Sequence, residues 1–206
     1  MKAALLAFLF CLTAHAQILG VGNRHIYTSG GGATSNIGTL GKDSTQNNNA
    51  NYYQTNYVET GSNANGYTVN SCSLWVGSGT FGNKIDCVVI VPGSATTYTS
   101  SVLCHGTYTE PSVAPNAFVS IPMTGCGTLP ANTFYWVGFN TGDNTALNGF
   151  YSCDSGTASC TGAAGSATYQ AWYIASPYGT YTNIPTTALN AAGNVQVSAY
   201  LTVTPN

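Results

Sequence analysis

Apolar and polar positions alternate with a period of two along most of the chain, over runs too short for helices. The runs are rich in Val, Ile, Thr, Tyr, Phe and Trp, and clusters of Gly, Asn, Pro and Ser separate them. No stretch sustains a 3.6-residue period. This spacing predicts an all-β sandwich or barrel. The predicted strands are 52–59, 67–76, 84–91, 100–108, 118–123, 133–140, 149–153, 168–175 and 195–203, with an early strand around 25–28. Residues 177–194 read as a long connection. Residues 29–51 carry no strand pattern, and the Gly- and Asn-rich stretch 17–51 reads as an irregular N-terminal arm before a β-sandwich domain at 52–206.

Residues 1–16, MKAALLAFLFCLTAHA, differ from the rest. Lys2 precedes an apolar run too short to span a bilayer, and Ala14-His15-Ala16 fits a small-x-small cleavage site. The segment reads as a secretory signal peptide cut before Gln17, on a secreted chain without a membrane span or an evident anchor. Cys11 leaves with it. Cys72, Cys87, Cys104, Cys126, Cys153 and Cys160 remain, an even number that suggests disulfides in an oxidising compartment. No CxxC pair is present and His25 and His105 lack ligand spacing, so zinc is not expected. The sequence implies no cofactor.

A hairpin register proposes the first bond. If 67–76 turns through 77–82 into 84–91, Trp75 faces Lys84 and Cys72 faces Cys87. Cys72, Leu74 and Val76 then share an inner face with Ile85, Cys87 and Val89, while Ser73, Trp75, Lys84 and Asp86 point outward. Closing a loop of about 15 residues contributes on the order of 3 kcal/mol. Lys84 beside Trp75 admits a cation–π contact. The short spacing suggests Cys153–Cys160, and Cys104–Cys126 follows by elimination.

Composition narrows the function. Only 5% of residues are charged and the net charge is −2, or −3 once Lys2 is removed. No basic surface exists to hold a phosphate backbone, so nucleic acid is not an expected partner. Asn-x-Ser/Thr sequons are absent, which fits a bacterial secreted protein better than a eukaryotic one. The aromatic content is high, with 14 Tyr, 7 Phe and 3 Trp. Flat rings stack on the C–H faces of sugars, and amides and hydroxyls bond their hydroxyl groups. Trp75, Trp136 and Trp172 are therefore the candidate glycan-contacting residues.

Three stretches also carry a family likeness: GYTV running into SCSLWVG, the lysine strand KIDCVVIV, and TLPANTFYWVGFNT. Together, over residues 52–203, they resemble secreted bacterial jelly-roll modules of the surface-anchored or carbohydrate-associated kind. The resemblance implies a jelly-roll-like antiparallel β-sandwich.

The leading expectation is a non-catalytic extracellular module that binds polysaccharide or cell-surface glycan. The second is a structural or adhesive surface protein that self-associates, since low charge opposes close packing little. The third is a glycoside hydrolase using Glu59 and Glu110, which lie on strands with Tyr53, Tyr57 and Tyr108. A retaining enzyme would need the two carboxylates about 5–5.5 Å apart. No Gly-x-Ser-x-Gly elbow is present, and Asn140–Asn144 reads as a turn more readily than as a calcium loop.

Overall fold

Residues 33–40, 44–46, 51–77, 84–109, 116–142, 150–154, 172–191 and 195–206 are described by a computed structural model. They form fourteen strands and two antiparallel sheets. The first sheet contains β1 (Ser35–Gly38), β2 (Ser44–Gln46), β4 (Tyr67–Val76), β7 (Ala117–Pro122), β8 (Thr128–Leu129), β10 (Phe150–Asp154), β13 (Val195–Val197) and β14 (Ala199–Pro205). The second contains β3 (Tyr52–Glu59), β5 (Lys84–Ser94), β6 (Thr97–Thr109), β9 (Phe134–Thr141), β11 (Trp172–Ala175) and β12 (Asn190–Ala191).

Within the first sheet the neighbours run β1-β14-β4-β7, and within the second β3-β9-β5-β6. The chain crosses from sheet to sheet between most successive strands. This connectivity of two four-stranded sheets is a jelly roll. The remaining strands extend its edges. β8 continues the line of β7 along β4, pairing Leu129 with Tyr67. β11 and β12 widen the second sheet beyond β3.

The inner faces meet as the alternation requires. Cys72, Leu74 and Val76 from β4 bury against Ile85, Cys87 and Val89 from β5, together with Val137, Phe139, Leu201 and Val203. β4 needs one correction of phase to do this, because Tyr67 and Val69 are also inside while the later inward residues have even numbers. A bulge supplies it. Thr202 pairs with Ser71 and Val203 with Val69, leaving Asn70 as the extra residue.

The expected hairpin is not present. β4 and β5 lie in different sheets and face each other across the core, so the Cys72–Cys87 bond joins the two layers instead of two neighbouring strands. β4 pairs with β7 and β14; β5 pairs with β6 and β9. Lys84 stands opposite Thr109 and Trp75 opposite Phe118, so the Lys84–Trp75 contact is not formed either. The inner-face assignment and the bond survive because facing strands and paired strands both bring inward residues together. Cys104–Cys126 is also formed. Of the third pair, Cys160 lies outside the described residues.

Other departures follow from context that local pattern does not carry. β1 and β2 come from the segment read as irregular, and Ile37 of β1 enters the core. The strand expected at 195–203 breaks at Ser198 into β13 and β14, which border different partners. Asn140 and Thr141 are buried strand residues of β9 rather than turn ligands. The early strand at 25–28 and residues 168–171 lie outside the described residues.

The second sheet is buried on both faces. Behind it, Tyr53, Val88, Ile90, Tyr98 and Trp136 pack under Ile174, Ile184 and Leu189 to make a second core. This explains the unbroken apolar run of Cys87, Val88, Val89 and Ile90 in β5, where neither face meets solvent.

Candidate functional site

The outer face of the first sheet is built from β14, β4 and β7, which are adjacent. After the Asn70 bulge the outward residues of β4 are Ser71, Ser73 and Trp75. Phe118 stands directly opposite Trp75, while Tyr200 lies across from Ser73 on the other side. The rings touch in sequence. Trp75 and Phe118 have centroids 5.0 Å apart at 83°, and Phe118 and Tyr200 5.1 Å apart at 63°. Edge-to-face packing of this kind holds each ring in place. All three side chains are half-buried, so part of each ring meets solvent.

Neutral hydrogen-bonding groups border the row. Ser120 is exposed beside Phe118, and the Thr202 hydroxyl donates to Asn36 Oδ1 at 3.1 Å. Ser73 lies beneath the rings, 3% exposed. None of these residues ionises in the ordinary range. The face can therefore offer ring surfaces flanked by hydroxyls and an amide, without a charge to satisfy.

The three tryptophans do not share a face. Trp136 is fully buried in the second core, with its indole N–H donating to the Thr97 carbonyl at 3.1 Å. It is corrected here from a candidate ligand contact to a core residue. It packs against Tyr57 at 4.6 Å and Tyr98 at 5.6 Å. Trp172 is half-buried and meets the edge of Trp136 at 6.3 Å, on the opposite side of the sandwich from Trp75. Phe118 and Tyr200, the other members of the Trp75 row, were not singled out from sequence. The alternation marks their strands, but only the sheet order puts them beside Trp75.

Glu59 closes β3 opposite Phe134, stacked ring to ring with Tyr57 in the neighbouring position. Burial, with the Glu59 charge nearby, raises the Tyr57 pKa. Glu110 lies outside the described residues. Thr109, at the end of β6, pairs with Lys84, whereas Glu59 is at the opposite end of the second sheet, across the length of β9. That length is roughly 23 Å at strand rise. The described residues thus bring no second carboxylate to Glu59. No three His, Cys, Asp or Glu side chains among them could hold a metal ion, and among them there is no helix long and apolar enough to cross a membrane.

No family model, curated protein or solved structure matches the chain. The two disulfides fit an oxidising environment.

Proposed function

We propose that this chain is a non-catalytic extracellular binding module for a neutral polysaccharide or cell-surface glycan, and that Tyr200, Trp75 and Phe118 form its contact face. The observation that carries the reading is the cross-strand row of three partly exposed rings bordered by uncharged hydroxyls and an amide. Sugar rings offer apolar C–H faces to such rings and hydroxyls to their neighbours. Exposure elsewhere also favours this class over an apolar protein partner, since among the described residues Val91, 37% exposed, is the one large hydrophobic side chain on the open surface. The leader at 1–16 and the disulfides support placement outside the cell, and the likeness to secreted bacterial jelly-roll modules supports the same class.

The test is a pull-down of the purified protein on insoluble cellulose, chitin, xylan and starch. Trp75→Ala, Phe118→Ala and Tyr200→Ala are compared with Trp172→Ala, which lies on the other side of the sandwich. Binding to one polysaccharide, weakened about tenfold by each substitution in the row and unchanged by Trp172→Ala, is the expected result. Binding that survives all three row variants overturns the assignment of the face. No binding to any of the four, with oligomers growing with concentration in sedimentation, moves the function to self-association.

A further inference from the structure

Residues 176–189 leave the second sheet at β11, cross its outer face and return at β12. The two strands pair, Trp172 with Ala191 and Tyr173 with Asn190, so the ends of the segment are held together. A compact excursion with adjoining ends is an Ω-loop, a class often found at functional positions. Its second half is anchored by Ile184 and Leu189 in the second core, and by bonds from Ile184 N to Ser100 O at 3.1 Å and Leu189 N to Thr96 O at 2.9 Å.

The first half rests on a different kind of contact. Asp86 points outward from β5 yet is completely buried. Its carboxylate accepts three hydroxyl hydrogen bonds: from Thr107 at 2.6 Å, Tyr181 at 2.7 Å and Tyr178 at 3.2 Å. Thr107 belongs to the rigid neighbouring strand β6. Both tyrosines belong to the loop. The Tyr53 hydroxyl donates up to the Thr180 carbonyl, and His105 stacks flat on Tyr181 at 3.7 Å.

Around this carboxylate the polar accounting does not close. Asn140, opposite Asp86 on β9 and 1% exposed, donates weakly to the Ser176 and Pro177 carbonyls at 3.4 and 3.5 Å, while its Oδ1 has no partner. Ser176 Oγ, in a residue 2% exposed, has none, nor has His105 Nδ1. The large majority of buried side-chain polar atoms are ordinarily bonded. An open amide oxygen opposite a carboxylate that already gathers hydroxyls marks a surface suited to hydroxyl ligands.

We propose that residues 177–182 are a gate over a second, hydroxyl-recognising site, where Asp86, Thr107 and Asn140 take adjacent hydroxyls of a saccharide in place of those of Tyr178 and Tyr181. The sheet supplies the fixed acceptors and the loop supplies removable donors that imitate the ligand. An ionised carboxylate bonds hydroxyls more strongly than a neutral acceptor does. Gly179 lies within this segment and Asn183 follows it, both in the left-handed region at φ 74° and 56°. Opening releases the tyrosines and the Val102 N to Tyr181 O bond, while Ile184 and Leu189 remain seated. A closed gate weakens apparent affinity by the fraction of time it is open. The ligand class rests on the saccharide reading above.

The test removes both latch hydroxyls in the full chain, Tyr178→Phe with Tyr181→Phe. Amide exchange in 178–182 should quicken roughly tenfold or more, with β4, β5 and β9 unchanged. Binding of cellotriose, maltotriose or xylotriose, followed by backbone NMR shifts at 86, 107 and 140, should strengthen by roughly the same factor. Asp86→Asn in that background should abolish the gain, and Trp75→Ala should leave it intact. Faster exchange without trisaccharide binding at these positions overturns the site. Unchanged exchange overturns the gate, and a gain that survives Asp86→Asn overturns the assigned recognition. Polysaccharide binding through the Trp75 row stands or falls separately in the pull-down.

Discussion

Replacing Cys72 and Cys87 together by Ala separates two accounts of what a disulfide does in this fold. By loop-closure entropy alone, the Cys72–Cys87 bond, with a sequence separation of 15, contributes about 3.0 kcal/mol, and Cys104–Cys126, with a separation of 22, about 3.4 kcal/mol. Packing reverses that order. Cys72 and Cys87 are both 0% exposed and hold the two layers together at the centre, with Ile121 and Leu201 paired beside Cys72 and Phe139 beside Cys87. Each lost sulfur removes roughly one methylene's worth of buried surface, about 0.8 kcal/mol, plus the cost of a void that close-packed strands cannot fill. The total is about 5 kcal/mol. Cys126 is 8% exposed and sits in the turn between β7 and β8, where the backbone can settle. Its double variant should lose only about 3–4 kcal/mol. Urea unfolding of the two double variants measures the gap, and both should show a raised m-value as the denatured chain loses a cross-link. Equal losses, or a larger loss for Cys104→Ala with Cys126→Ala, would show that loop length governs and refute the packing argument.

Trp136→Ala should cost about 3–5 kcal/mol and Trp75→Ala about half as much, because only the first ring is fully enclosed; urea midpoints decide it. Gly138→Ala would bring a Cβ to 1.9 Å from the Gln54 carbonyl oxygen and 2.6 Å from Thr55 Cα, backbone atoms held by the β3–β9 ladder. A loss of about 3 kcal/mol or more is expected, while Gly142→Ala, whose Cβ would meet Tyr178 at 3.4 Å, should be nearly neutral. Alkaline stability is set by buried phenols. Burial first, and the Asp86 carboxylate with it, pushes Tyr53 and Tyr181 from 10.0 up to about 12, and Tyr178 upward too. The native state then keeps protons that the unfolded chain releases, so stability is intact below pH 10 and falls as pH rises toward about 12. Thermal melts that are already declining between pH 8 and 9 would contradict this.

Strand positions were legible because period-two alternation is a local property. β3 and β4 begin and end where the pattern places them, and the inward triplets of β4 and β5 are those the alternation selects. Which strands are neighbours was not legible. Two alternating runs joined by a Gly-rich turn can lie side by side or face to face, and Cys72 meets Cys87 either way. Nor does alternation tell a solvent face from a third layer. Trp136 and Asp86 occupy outward positions, and the segment that buries them arrives with Ile174, Ile184 and Leu189, distant in sequence and sparse in apolar residues. β1 offers a single core side chain, Ile37, too little to announce a strand. The row of Tyr200, Trp75 and Phe118 likewise exists only once β14 and β7 flank β4.

The pairing of β1 with β14 has a kinetic consequence. Ser35 meets Val203 and Gly38 meets Tyr200, so the first described strand closes on the last. Among the described strands of the first sheet none pairs with its immediate successor, and among those of the second β5 and β6 form the one tight hairpin. Distant pairings of this kind make folding slow. The first sheet cannot be completed until residues near the C-terminal end have left the ribosome, so the growing chain must spend its synthesis with that sheet unfinished and its edges open.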